Sequence, residues 1–178
     1  GGRALGLAGA RQTLRGGAPR TEGARVCRNV EPQVVSGGRD VARALAETAT
    51  ESGVRLDRIV MEITEQDKLV DGPAAIDFVE TLRPLGVEFA LDDVGMSYSH
   101  LELIDRIRPS FLKVSQHFGG VLATDDSKRK IVRNIVALAS DFGCDVVVEG
   151  IEHASTSEVA SAIGARYGQG FLYSRPCD

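Results

Sequence analysis

From Arg25 onward, short apolar runs rich in Val, Ile, Leu and Phe alternate with amphipathic stretches, and this alternation restricts the fold more tightly than any other feature of the 178 residues. Strands are expected at Val26–Val30, Arg58–Ile63, Val87–Leu91, Phe111–Val114, Asp145–Val148 and Gly168–Leu172. Between them, apolar residues three or four apart mark helices: Val41, Leu45 and Ala49; Ile76, Val79 and Leu82; Ile131, Ile135, Leu138 and Phe142. The helix ends carry the expected punctuation. Gly53, Gly86, Gly143 and Gly164 each stand where a left-handed residue closes a helix, and Pro73 stands where a first turn tolerates proline. Ser155 with Glu158 reads as a capping box for the last helix. Strand, helix and strand in succession imply parallel strands with right-handed crossovers, covered on both faces. An open doubly wound sheet and a (β/α) barrel both meet this pattern. No glycine-rich phosphate loop follows a strand to favour the former, and six strands are fewer than the eight of a closed barrel.

Composition excludes several classes of function. The chain is 43% hydrophobic and 26% charged, as a globular domain is, and its formal net charge of −4 provides no field for holding a polyanion. Residues 1–24 are Gly/Arg-rich, with four arginines against one glutamate, and are expected to form a flexible segment ahead of a domain at 25–178. Without interleaved aromatics, they do not make a nucleic-acid stripe. No apolar run approaches the roughly 20 residues of a membrane helix, and no secretory apolar core opens the chain. Cys27, Cys144 and Cys177 are odd in number and far apart, which argues against a disulfide framework and for a reducing, cytoplasmic compartment. His100, His117 and His153 lack metal-ligand spacing and read as surface residues.

Polar residues close the apolar runs. In chain order they are Asn29, Glu62, Asp92 with Asp93, Lys113 and Glu149, while Gln169 stands in the last run. They follow one another at intervals of 20 to 36 residues, each about one strand plus one helix. In parallel α/β folds all strand C-termini open on one face, so these groups are expected to converge there. Carboxylates gathered together repel, and burying them uncompensated costs several kcal/mol per ion. An oxygen-rich set without Cys or His suits Mg²⁺ or Mn²⁺, and two such ions can clamp a phosphodiester for attack by water. Taken singly, each residue has a plainer reading: Asp92-Asp93 as an Asx turn, Lys113 as a surface lysine, Glu149-Gly150 as a turn. Their joint placement at successive run ends is what favours a site.

The motifs resemble those of the EAL family of cyclic di-GMP phosphodiesterases. The stretches that carry the likeness are Glu62-Ile63-Thr64-Glu65, Ala90-Leu91-Asp92-Asp93-Val94-Gly95, Phe111-Leu112-Lys113-Val114, Val147-Val148-Glu149-Gly150-Ile151-Glu152 and Gln169-Gly170-Phe171-Leu172-Tyr173-Ser174-Arg175-Pro176. Asn29 with Val30-Glu31-Pro32 resembles the family's Asn-Leu-Ser segment. The resemblance implies a TIM-like barrel and two-metal cleavage of cyclic di-GMP to linear pGpG. It implies metal-ligand roles for Asn29, Glu62, Asp92 and Asp93. Glu149 would stand near the metals and the attacking water, and Lys113 would orient that water or the phosphate. Gln169 and Glu152 match further site positions, and Glu65 matches the glutamate anchoring the loop after Asp93.

The sequence also departs from the family pattern. Glu-Ala-Leu, the signature that names the family, occurs nowhere in the 178 residues, and the nearest string, Arg3-Ala4-Leu5, has an arginine that cannot ligate a cation. Ser115 stands where the family has an aspartate, and Val94, Met96 and Ser97 replace the usual Phe, Thr and Gly. The expectation is therefore a partial TIM-like barrel of roughly six parallel strands, missing about the first two strands of the family's barrel. Exposed strand edges would invite a homo-oligomer to cover them. Activity is expected to be weak or lost, with a non-catalytic nucleotide-binding or protein-interaction scaffold as the alternative.

Overall fold

The computed structural model describes residues 25–64, 73–96 and 100–173. The Gly/Arg-rich residues 1–24, and Glu65, Ser97 and Cys177, lie outside the described residues. Six strands, β1 (Val26–Asn29), β2 (Ile59–Thr64), β3 (Glu88–Val94), β4 (Phe111–Val114), β5 (Asp145–Val148) and β6 (Tyr167–Gly168), form one sheet in chain order. The registered pairs β1–β2, β4–β5 and β5–β6 are all parallel. The chain divides between Ala90 and Leu91 into two compact units.

The first unit is built on β1 and β2. They pair from Val26↔Ile59 to Asn29↔Glu62, and the Val30 N–H extends the pairing to the Glu62 carbonyl at 3.0 Å. β2 is buried along Ile59–Ile63, as a strand covered on both faces must be, whereas β1 alternates between half-buried and exposed. After a helical turn, α1 (Pro32–Val35), comes α2 (Gly38–Glu51), whose Ala42, Leu45, Ala46 and Ala49 form an apolar stripe. This alanine-rich face is narrow enough for α3 (Pro73–Leu82) to pack closely on it with Ala75, Phe78, Val79 and Leu82. Pro73 is the first residue of α3, where a missing N–H costs nothing.

In the second unit β4 is buried throughout and β5 alternates. Its helices are α4 (His100–Ile107), α5 (Gln116–Gly119), α6 (Asp126–Phe142) and α7 (Ala154–Ala162). Asp125 caps α6 by accepting from the N–H groups of Ser127 and Lys128 at 2.9 and 3.0 Å. Among the described residues no helix is long and apolar enough to cross a membrane.

Several boundaries differ from the expectation. β3 runs on to Val94, so Asp92 and Asp93 lie within the strand rather than beyond it. The run Gly168–Leu172 is not a strand: β6 ends at Gly168, and the chain turns from Gly170, at φ 154, to Tyr173, whose N–H donates to the Gly170 carbonyl at 3.1 Å. Ser155 lies inside α7 and His153 occupies the N-cap without a side-chain bond, so the capping box is not formed. The buried face of α6 is Val132, Ile135 and Ala139, leaving Ile131 41% exposed. Two apolar stripes overlap at Ile135. The helix presents the one with the small Ala139 inward, while the Phe142 ring receives the Arg108 guanidinium at 5.4 Å. By contrast, Gly53, Gly86, Gly143 and Gly164 all have left-handed φ, between 70 and 96°. Among the described residues, neither Cys27 nor Cys144 is in a disulfide, and burial raises the pKa of Cys144. His117 and His153 are exposed.

Phe78 is fully buried and Ile131 is not. Phe78→Ala is expected to cost about 3–5 kcal/mol in urea unfolding, from lost burial plus the cavity left behind. Ile131→Ala should stay within about 0.5 kcal/mol of the unaltered chain, since it touches solvent and alanine is a better helix former. Equal losses in the two variants would contradict this assignment of the α6 face.

Candidate metal centre

The second unit gathers residues from three successive strands. Asp92 and Asp93 come from the end of β3, Lys113 from β4, and Glu149 directly follows β5. In a regular strand, neighbouring side chains point to opposite faces. Asp93 escapes that alternation by adopting φ 56, a left-handed conformation that aspartate tolerates better than most residues. Its backbone N–H turns onto Asp92 Oδ1 at 3.0 Å, and both carboxylates reach the same place. A carboxylate oxygen from each of Asp92, Asp93 and Glu149 lies within 4.8 Å of the others, and all three residues are half-buried.

Lys113 lies against this cluster. Its side chain is 6% exposed, and its Nζ lies 3.1 Å from Asp92 Oδ1 and 2.8 Å from Glu149 Oε1. The reading of Lys113 as a surface lysine is thereby excluded. β4 brings it here because its four residues are all buried, so the lysine has no exposed face to turn to. Parallel pairing sets the height of its neighbour. Lys113 registers with Val147 and Val114 with Val148, and the Glu149 N–H continues the ladder to the Val114 carbonyl at 3.0 Å.

These four side chains fit a hard divalent cation. Set against the Lys113 ammonium, three ionised carboxylates leave an excess of two negative charges among them, which a divalent ion neutralises. Ligand oxygens at about 2.1 Å from such an ion stand up to about 4.2 Å apart. The three carboxylate oxygens, within 4.8 Å of one another, are at about that spacing. No sulfur or imidazole belongs to the cluster, so Mg²⁺ or Mn²⁺ suits it better than Zn²⁺.

The remaining expected residues are placed as follows. Asn29 and Glu62 are register partners in the first unit, Asn29 the last residue of β1 and exposed, Glu62 two residues before the end of β2 and buried. Glu152 is exposed and outside the acidic cluster. Gln169 contributes through its backbone, donating to the Val148 carbonyl at 2.8 Å and accepting from the Ile151 N–H at 3.0 Å. Glu65 lies outside the described residues. The backbone supports of Glu149 were not foreseen, because the run pattern locates strands without giving their register.

The sequence profile of the EAL domain family matches residues 20–176. The chain belongs to the EAL domain family. It is 31% identical over 145 residues to the cyclic di-GMP phosphodiesterase TpdA of Vibrio parahaemolyticus, a match that covers 82% of this chain and 25% of TpdA. Among solved structures, the EAL enzyme Bd1971 in its cAMP- and cyclic-di-GMP-bound form superposes with a TM-score of 0.84 at 26% identity, over 98% of this chain and 49% of that one. The manganese and cyclic-di-GMP complex of Klebsiella pneumoniae BlrP1 gives 0.78 at 30% identity, over 98% and 42%. This EAL domain is thus homologous to cyclic di-GMP phosphodiesterases, and its six parallel strands with surrounding helices have the TIM-like fold class of the EAL enzymes. The chain spans about a quarter of the length of TpdA and less than half of the Bd1971 and BlrP1 chains.

Lys113→Met removes the positive charge while keeping most of the side chain's bulk. In EDTA at pH 7 it is expected to lower unfolding stability by about 3 kcal/mol, because Asp92 and Glu149 lose their buried counter-charge. Urea denaturation checks this, and a variant as stable as the unaltered chain would contradict the compensating role.

Proposed function

We propose that this EAL domain binds cyclic di-GMP together with Mg²⁺ or Mn²⁺ and hydrolyses it to pGpG. The observation that carries the reading is the acidic cluster of Asp92, Asp93 and Glu149 held against buried Lys113, at the positions of the family's motifs. When bound, two divalent ions would polarise the phosphodiester and ease attack by water. Asp92 and Asp93 are the proposed ligands in the second unit. Asn29 and Glu62 are the proposed ligands in the first, by their place in the motifs. Glu149, whose Oε1 lies 2.8 Å from Lys113 Nζ, is the proposed acceptor of the attacking water's proton. Lys113 fixes that carboxylate and presents positive charge to the phosphate. Glu65, Glu152 and Gln169 are proposed as supports of the substrate and of the loop after Asp93.

A specific residue lowers the expected rate. Ser115 occupies the position where the resemblance leads one to expect an aspartate; it is buried, and its Oγ accepts from the His117 N–H at 3.5 Å, capping α5. Slow turnover is the proposed outcome of a serine standing in place of that carboxylate. The same residue favours a second reading, a non-catalytic module that binds the nucleotide or a protein partner. We also propose that the domain resides in the cytoplasm, where thiols such as those of Cys27 and Cys144 stay out of disulfides, and that it forms a homo-oligomer covering its exposed strand edges. Light scattering showing a folded monomer at micromolar concentration would remove the oligomer.

The deciding experiment incubates the chain with cyclic di-GMP and Mn²⁺ and follows pGpG. Turnover is expected to fall at least about 100-fold in Asp92→Ala and in Glu149→Ala, while Ser115→Asp should raise it. Calorimetric binding of cyclic di-GMP without any pGpG would establish the scaffold, and neither binding nor turnover would overturn both readings. Mn²⁺ at 100 times its dissociation constant should stabilise the fold by about 2.7 kcal/mol.

A further inference from the structure

Glu149 projects from a peptide segment, Glu149–Ile151, that is gripped from both sides at backbone distance. On one side is α5. A Cβ on Gly119 would overlap the Glu149 carbonyl oxygen and meet Val148 Cγ1 at 2.8 Å. Gly150 itself, at φ 73, lies so close to α5 that a Cβ would meet Gln116 Cβ at 2.7 Å. On the other side is the turn after β6. A Cβ on Gly170 would overlap the backbone nitrogen and oxygen of Ile151 and stand 2.7 Å from its carbonyl carbon. Gly170 also has φ 154, a region that glycine enters freely and L side chains rarely do.

Four hydrogen bonds close around the segment: Glu149 N–H to Val114 O at 3.0 Å from the β4 side, and, on the side where Gly170 lies against Ile151, Gln169 N–H to Val148 O at 2.8 Å, Ile151 N–H to Gln169 O at 3.0 Å and Leu172 N–H to Ile151 O at 3.0 Å. The turn is tied in its own right, by the Tyr173 N–H on the Gly170 carbonyl at 3.1 Å and by Tyr173 Oη with Ser157 Oγ at 2.7 Å. A backbone held on both sides leaves Glu149 little freedom except in its side-chain torsions. Its Oε1 is already fixed by Lys113.

We propose that Gly170 is a positioning residue: by letting the turn after β6 close on Ile151, it sets the place of the Glu149 carboxylate relative to Lys113 and Asp92. This rests on the metal centre proposed above. A methyl group at residue 170 cannot be absorbed by a side-chain rotation, since what it meets is backbone. It pushes Ile151 away, and Glu149 moves with it.

The test uses the whole 178-residue chain, titrated with Mn²⁺ by calorimetry, with amide hydrogen exchange measured in EDTA. In Gly170→Ala the Mn²⁺ dissociation constant is expected to rise at least about tenfold, the loss typical of disturbed outer supports of a metal site. The Glu149 and Ile151 amides should exchange at least tenfold faster, while the Leu112 amide changes only by the global stability loss. Gly143→Ala is the control: it also carries left-handed backbone, at φ 71, but a Cβ there meets nothing within 4 Å. It should leave the Mn²⁺ affinity unchanged. Unaltered affinity in Gly170→Ala, or an equal loss in Gly143→Ala, overturns the proposal. A parent chain that binds no Mn²⁺ would remove the metal centre instead, and the exchange of Glu149 and Ile151 would then decide the positioning role alone. If Gly170→Ala does not fold, Gly119→Ala strains the same segment from α5, where alanine is otherwise the better helix former. Faster exchange at Glu149 supports the proposal in that variant, and unchanged exchange there overturns it.

Discussion

The Lys113 ammonium, buried between Asp92 and Glu149, is the interaction on which the rest of the second unit turns. Carboxylates brought together in a half-dry site repel, and a fold can tolerate them only if cations lie within a few ångströms. One ammonium offsets part of that repulsion and leaves a remainder suited to a divalent ion. The ion pairs of Lys113 with Asp92 and Glu149 therefore hold those two carboxylates in place.

The parallel β/α arrangement explains how the groups meet. Each strand delivers its chain to the same height in the ladder, so the residues that close β4 and β5 are fixed relative to one another by main-chain hydrogen bonds rather than by flexible side chains. Asp93 adds a second chain-level device, a left-handed residue that brings adjacent carboxylates to one place. The glycines around Glu149–Ile151 add a third, close backbone contact that leaves no room for adjustment. All three place rigidity in the backbone, which is what a site with ångström-level demands requires.

Much of this organisation was legible from residue order. The apolar runs coincide with five of the six strands to within a few residues, and Gly53, Gly86, Gly143 and Gly164 all take the left-handed backbone their positions imply. The departures are local in each case: the run at Gly168–Leu172 gives way to a turn at Gly170, His153 rather than Ser155 stands at the N-cap of α7, and α6 turns inward the stripe that carries Ala139. Lys113 is the instructive case. Taken alone, a lysine in an apolar run suggests an exposed head group, and only the buried environment of β4 shows it to be an internal counter-charge.

Residue order by itself determined the α/β class, the strand sequence, the acidic and amide residues at strand ends, and the family to which the motifs point, because these depend on periodicity and residue chemistry that any fragment of chain carries. The tertiary structure alone decided that Asp92, Asp93 and Glu149 come within reach of one ion, that Lys113 bridges two of them, and that Gly170 lies against Ile151. Those are distances between residues far apart along the chain. They are set by ladder register and close packing, and neither is written in any local stretch of sequence.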